Sequence, residues 1–357
     1  MYHIHRIAGA AVFAAFLAGG ACAAIAEEAA PPPRPLKIVA TIFPVWDWAR
    51  EVLGQAAPDA QVTLLLDSGV DLHSYQPTAT DLREIAECDL FLHVGGESDA
   101  WVAPALAAAP REGRRVLDLL AALGDSAKAE ELLEGMEEEE PHHHGHDADH
   151  DDDDGDGDHD AGHGHGEDPD HDGGEEEEVE LDEHVWLSLR LASRLVGAIA
   201  DSLSELDPAR AGAFRANAGA YRARLAGLDA EYREAVAAAP RRTLVVADRF
   251  PLRYLADDYG LECFAAFPGC SAETEASFKM VRFLAAKADE TGARALMVLE
   301  GGDRRIAETV RAATRSRDQR IVEFDSLQSV TGGAAAAGKT YLGTMQDNLS
   351  ALAEALQ

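Results

Sequence analysis

Histidines and acidic residues crowd the segment from residue 137 to 183, which holds nine histidines, 24 aspartates and glutamates, and no lysine or arginine. Neutral imidazole is a common ligand of divalent transition metals, and surrounding carboxylates concentrate cations. Because the histidines are irregularly spaced, the segment predicts several weak, interchangeable metal sites instead of one closed structural site. The alternative, a solvated acidic spacer, explains the charge but not the histidines. The weak-site candidates are His142, His143, His144, His146, His150, His159, His163, His165 and His171.

Four further residues follow predicted strands or lie in loops at the same edge: His73, His184, Asp248 and Asp325. Two imidazoles and two carboxylates suit a four-coordinate divalent metal, and they suit Mn²⁺ about as well as Zn²⁺. Each residue also has a simpler explanation, since a lone loop histidine is more often a surface residue and Asp325 can cap a turn. His93 lies inside a predicted strand, which favours a core or cleft-wall role over ligation.

Strand and helix patterns alternate in two stretches, residues 36–200 and 240–357. This alternation predicts an α/β fold of two lobes with mostly parallel sheets. Between them, residues 207–239 predict one long amphipathic helix, with Asp207 as its cap and Pro208 at its first position. At 1.5 Å per residue this helix measures about 45 Å, enough to join both lobes as a rigid backbone helix. The acidic segment 137–183 is then a disordered loop of the first lobe, because its like charges repel and it has little apolar surface to bury.

The formal net charge of −34 argues against a nucleic-acid partner and favours a cationic solute. Most of the excess is local, since the 24 acids of the loop leave only −10 for the rest of the chain.

Residues 1–26 predict a secretory signal peptide, with a short apolar run and the cleavage triplet Ala24-Ile25-Ala26. Lipid attachment at Cys22 is disfavoured because the residues before it match a lipobox poorly. An exported protein lies where disulfides persist, so Cys263 and Cys270 are candidates to pair, while Cys88 is expected to stay buried and free.

At these residues the chain resembles the zinc- and manganese-binding solute-binding proteins of ABC transporters, with the zinc-uptake branch most similar. The resemblance extends from residue 38 to residue 356. It rests on the segments Ile38–Pro44, Asp71–Pro77, Glu183–Leu187, Tyr259–Leu261 and Phe324–Ser326. It implies two α/β lobes bridged by a long helix, one metal ion between them, and delivery to a membrane permease driven by a cytosolic ATPase. A charged, histidine-rich loop before the second histidine ligand is also typical of the zinc branch.

One motif departs from the family pattern. Zinc-branch members place a third histidine at a position that corresponds to Arg249 here, and a guanidinium has no lone pair to offer a metal. Asp248 is the nearest competent donor. Arg249 then needs an acidic partner, for which Glu300 is the candidate. Glu300 can alternatively enter the metal's coordination shell itself.

The sequence thus predicts an extracytoplasmic, monomeric zinc receptor that works with an ABC permease and its ATPase and is not an enzyme. A manganese receptor and a zinc buffer stay open as alternatives. A zinc hydrolase is disfavoured because no His-Glu-x-x-His motif is present. Residues 333–340 match the pattern of a phosphate-binding loop, but they do not follow a strand directly, which argues against nucleotide binding.

Overall fold

The computed structural model describes residues 35–136, 180–271 and 276–357. The predicted signal segment and residues 137–179 of the acidic loop, with its nine histidines, lie outside the described residues. The strands are β1 (Lys37–Ala40), β2 (Gln61–Leu64), β3 (Leu90–His93), β4 (Arg115–Asp118), β5 (Thr243–Phe250), β6 (Glu262–Pro268), β7 (Ala295–Leu299) and β8 (Arg320–Phe324). They form two sheets of four parallel strands, in the orders β2-β1-β3-β4 and β6-β5-β7-β8. The predicted α/β class with two parallel-sheet lobes is confirmed.

Helices cover these sheets, as parallel strand order requires. They are α1 (Phe43–Leu53), α2 (Ala79–Glu87), α3 (Val102–Ala108), α4 (Leu119–Leu123), α5 (Leu189–Leu206), α6 (Ala211–Ala238), α7 (Arg253–Tyr259), α8 (Phe278–Thr291), α9 (Arg305–Ala313), α10 (Gly332–Ala336) and α11 (Tyr341–Ala355). The central strands β3 and β7 are buried along their whole length, which explains their continuous apolar sequence. None of the helices in the described ranges has the length and apolarity that a membrane crossing requires.

The long helix α6 has 28 residues, about 42 Å at 1.5 Å per residue. The apolar positions that predicted it are buried along one stripe: Phe214, Tyr221, Leu225, Leu228, Tyr232 and Val236. The predicted start was wrong, because residues 208–210 form a turn before the helix. In that turn Asp207 Oδ1 accepts a hydrogen bond from the Arg210 amide, so Asp207 caps the turn and not the helix.

Direct hydrogen bonds join the two lobes. The Trp186 indole donates to the Ser326 carbonyl over 2.8 Å, and the Tyr341 hydroxyl donates to the Trp186 carbonyl over 2.6 Å. One hydrophobic cluster also contains buried residues of both sheets, from Ile38 in β1 to Phe324 in β8. The lobes therefore share a continuous core.

Two local expectations were wrong. Asp248 does not follow a strand but lies inside one, because β5 continues to Phe250 with an irregular register on β6. Cys263, Cys270 and Cys88 are all free in this structure. Cys263 does not pair with Cys270 because it lies inside β6 with its side chain in the core. The expectation that Cys88 is buried and free is met.

Candidate metal centre

His73 lies in a single 3₁₀ turn, Leu72–Ser74, at the carboxyl-terminal edge of the first sheet. Asp71 caps this turn, because its Oδ1 accepts from the His73 amide over 3.1 Å. The His73 Nδ1 atom lies 2.8 Å from the Ser98 hydroxyl and 3.6 Å from Glu183 Oε2. Burial lowers the pKa of His73 to about 4. The ring is therefore neutral at pH 7, so one of its two nitrogens has a lone pair to offer.

His184 lies where the acidic loop rejoins the fold and is fully buried. Asp182 Oδ1 accepts from the His184 amide over 2.9 Å and lies 3.0 Å from its Nδ1. A carboxylate accepts and does not donate, so this contact places the ring proton on Nδ1 and leaves the lone pair on Nε2. Such a carboxylate–histidine pair is the usual support of a metal-binding imidazole.

The two rings converge from positions 111 residues apart, with their Nε2 atoms separated by 3.2 Å. The Gln328 carboxamide nitrogen lies at the same point, 3.1 Å from His73 Nε2 and 2.5 Å from His184 Nε2. Both imidazole lone pairs therefore aim at one small volume, which is the arrangement that two ligands of a single ion require.

Cys270 completes a group of three metal donors. Among the residues that the structure describes, one ligand atom each of His73, His184 and Cys270 lie within 4.8 Å of one another. Cys270 comes two residues after β6, at the carboxyl-terminal edge of the second sheet. A cavity of about 840 Å³ reaches His73 and Cys270, and Glu130, Glu180 and Glu183 also line it.

The three predicted carboxylate ligands do not join this group, because each binds a partner elsewhere. Asp248 Oδ2 accepts from the Leu299 amide over 3.1 Å. Asp325 Oδ2 forms an ion pair with Lys339. Glu300 accepts from both the amide and the hydroxyl of Ser326, over 2.7 and 2.8 Å, and burial raises its pKa to about 7.

Arg249 does not pair with Glu300, so that expectation was wrong. Its Nη2 atom donates to Asp71 Oδ2 over 2.7 Å, a contact between β5 and the turn that carries His73. Arg249 therefore holds in place the turn that carries His73.

Sequence reasoning missed Cys270 and Gln328 as site residues. Cys270 follows a strand at the sheet edge, which is the rule by which Asp248 was predicted, but we assigned Cys270 to a disulfide instead. Gln328 left no comparable signal, because a single glutamine in a loop is common. His93 is buried and stacks on Phe91 with ring centroids 5.3 Å apart, which agrees with the core role predicted for it.

Two parallel α/β lobes with imidazole and thiol donors meeting between them define a two-lobed metal-binding protein. A family model described as ZnuA, the periplasmic component A of a zinc-uptake complex, matches residues 38–355. This chain belongs to that family.

Individual relatives agree. The chain is 30% identical over 317 residues to the zinc-binding lipoprotein AdcA of Streptococcus pneumoniae, covering 89% of this chain and 55% of the streptococcal protein. It thus spans about half the length of that relative. It is 26% identical to the high-affinity zinc uptake system protein ZnuA of Bacillus subtilis, covering 90% of this chain and 88% of that protein.

Solved structures show the same fold. The Zn(II)-bound ZnuA-like domain of S. pneumoniae AdcA matches with a TM-score of 0.64 and 26% identity, over 90% of this chain and 99% of that one. The periplasmic zinc-binding protein TroA of Treponema pallidum matches with a TM-score of 0.67 and 24% identity, over 91% of this chain and 99% of that one, a likeness of fold alone.

Proposed function

We propose that this chain is the extracytoplasmic receptor of a zinc importer: it binds one zinc ion between its lobes and delivers it to an ABC permease driven by a cytosolic ATPase. The observation that carries the proposal is the convergence of His73 and His184, whose Nε2 atoms lie 3.2 Å apart. The second nitrogen of each ring is held by the protein, which orients both Nε2 atoms toward the same point.

The family and its relatives support a receptor over a zinc hydrolase. The relatives named for zinc uptake or zinc binding match along the same 90% or so of the chain that holds the site. Export by the predicted signal peptide fits the periplasmic description of the family model. Asp248, Asp325 and Glu300 stay predicted ligands, to be tested beside the histidines.

Calorimetric titration of the metal-free protein with Zn²⁺ tests the site. We expect one tight equivalent, which His73→Ala and His184→Ala should each abolish, because the loss of either histidine leaves too few ligands to hold a zinc ion tightly. His163→Ala, in the acidic loop, is the matched control and should keep it. A tight equivalent that persists in His73→Ala would contradict the proposal.

Growth under zinc limitation separates a receptor from a buffer. In a strain that lacks its own zinc receptor but keeps the matching permease, the intact chain should restore growth and His184→Ala should not. Binding without restored growth, despite normal export, would favour the zinc buffer.

A further inference from the structure

Cys270 has the position of a third ligand, and this adds to the proposed function, on which the inference rests. We propose that Cys270 binds the metal ion as a thiolate, so that His73, His184 and Cys270 form a two-nitrogen, one-sulfur donor set that selects zinc over manganese. Its ligand atom lies with those of both histidines inside 4.8 Å. Ligands of a tetrahedral zinc ion lie about 3.5 Å from one another, given Zn–N of about 2.0–2.1 Å and Zn–S of about 2.3 Å. Side-chain movements of about 1 Å therefore bring the three ligand atoms to the distances that a zinc ion requires.

The turn that carries Cys270 is built to approach His184. A Cβ atom added to Gly269 would lie 3.0 Å from His184 Cε1 and 2.9 Å from the Phe250 carbonyl oxygen. Only glycine allows the backbone to come this close to the ring. The Cys270 amide donates to Glu130 Oε1 over 3.0 Å, which anchors the turn from the other side.

The donor types decide which metal the set prefers. Thiolate and imidazole suit Zn²⁺, whereas Mn²⁺ prefers oxygen ligands. Two carboxylates predicted as ligands bind other partners, Asp248 the Leu299 amide and Asp325 the Lys339 ammonium. Among the described residues, the sulfur of Cys270 is the donor grouped with both histidines, and a soft sulfur ligand disfavours manganese. When the metal binds, the thiol releases its proton to solvent and the sulfur donates the electron pair.

Cobalt substitution detects the sulfur directly. Co²⁺ occupies zinc sites, and a thiolate ligand produces an intense near-ultraviolet charge-transfer absorption. With one equivalent of Co²⁺ we expect this absorption in the full chain and in Cys263→Ser, whose cysteine lies in the core. It should be absent in Cys270→Ser. The acidic loop cannot produce it, because residues 137–183 contain no cysteine.

Alkylation of the unmodified chain gives the same answer without a variant. One equivalent of Zn²⁺ should protect Cys270 from iodoacetamide, as read by peptide mass spectrometry. Equal labelling of Cys270 with and without tightly bound zinc would overturn the inference.

Competition between Zn²⁺ and Mn²⁺ tests the selectivity. Cys270→Ser should lower the zinc affinity by at least about tenfold, the minimum expected when a supporting group of a metal site is removed. Its manganese affinity should change by less than about threefold, because oxygen replaces sulfur. An unchanged preference for zinc would overturn the inference.

These outcomes separate the two proposals. If the unmodified chain binds no metal tightly, the proposed receptor function fails. If it binds one Co²⁺ or Zn²⁺ tightly but shows neither the sulfur absorption nor protection of Cys270, the receptor function stands and the thiolate ligand is refuted.

Discussion

Single side chains decide the chemistry of the centre through the groups that hold them. Asp182 fixes the ring proton of His184 on Nδ1, while Ser98 and Glu183 face Nδ1 of His73. Burial raises the pKa of Glu183 to about 7, so this carboxyl is partly protonated near neutral pH. The rings are thus oriented before any metal arrives, which reduces the entropy cost of binding.

Replacing Asp182 tests this orientation. We expect Asp182→Ala to weaken zinc binding by about 10–100-fold, because the His184 ring loses the acceptor that sets its tautomer. Glu97→Ala is the matched control, since Glu97 is an exposed acid on the rim of the same cavity. Competition with a chromophoric chelator measures both. Equal losses in the two variants would show that general negative charge, and not the ring support, matters.

The contact between Arg249 and Asp71 yields a second prediction. Arg249→Ala should lower zinc affinity by about tenfold, because the turn that carries His73 loses its tie to β5. The zinc affinity of Arg249→Lys should lie between those of the unmodified chain and Arg249→Ala, since an ammonium offers a point charge where a guanidinium offers a planar fork.

Arg224→Ala provides the comparison, because Arg224 pairs with Glu51 on the molecular surface. We expect it to bind zinc normally. Unchanged affinity in Arg249→Ala would contradict a positioning role for Arg249.

The sequence identified the two histidines because loops at strand ends are a small, recognisable set of positions. It did not show which neighbours would turn inward. Asp325 ends up against Lys339, fourteen residues later, and Arg249 against Asp71, 178 residues earlier. These choices depend on tertiary contacts, which residue type and spacing do not encode locally.

At the level of helices and strands, periodic and well-bounded segments were predictable. The strand and helix alternation predicted for residues 36–200 and 240–357 is observed as two parallel sheets, and the long helix predicted over residues 207–239 is observed as α6. The error in β5 has a physical reason: the strand carries an irregularity between Val246 and Arg249, which lets polar residues continue in a strand whose apolar pattern has ended.

The junction of α1 and α11 gives a prediction on stability. Asp47 on α1 is 4% exposed, and its Oδ2 accepts from the Tyr341 amide at the start of α11. Burial raises the pKa of Asp47 from 3.8 to about 6. The folded state therefore keeps a proton that the unfolded state loses between pH 3.8 and 6, and stability falls as pH rises through that range. The loss approaches about 2–3 kcal/mol above pH 6.

Asp47→Asn removes this titration and keeps an oxygen that accepts from Tyr341. In urea unfolding of the metal-free protein, we expect the variant to gain stability relative to the unmodified chain as pH rises from about 4 to 6, and the difference to level off above that. Asp201→Asn, on the exposed side of α5, should show no such trend. A pH-independent difference for Asp47→Asn would contradict a buried, protonated Asp47.

Across the whole molecule, the two lobes are bound by a shared core and by direct hydrogen bonds, such as Gly332 to the Asp67 carbonyl over 2.6 Å. The cavity beside the metal donors is lined by Glu180, the first described residue at the end of the acidic loop. The loop's end therefore lies at the entrance of the site, which favours a loop that gathers ions and passes them inward.

The segments before and after residues 137–179 are hydrogen-bonded to each other. Glu130 donates its amide to the Glu180 carbonyl over 2.9 Å, and the Asp182 amide donates to the Lys128 carbonyl over 2.8 Å. Asp182 also supports His184, so a deletion that extends to residue 182 would damage the tight site. A clean test replaces only residues 137–179 with a short Gly-Ser linker, which leaves the pairing in place.

We expect this linker variant to keep the tight zinc equivalent and lose the weak ones, because the nine loop histidines are removed while every donor of the buried centre stays. Calorimetry with zinc in excess measures both classes. A second variant, with the nine histidines changed to asparagine, keeps the acidic charge and so separates the effect of imidazole from that of electrostatics. It should also lose the weak equivalents. Its tight site should still bind zinc faster at low salt than that of the linker variant. If the linker variant loses the tight equivalent while its thermal unfolding is unchanged, loop residues must be ligands of the central ion, and the division between capture and tight binding is wrong.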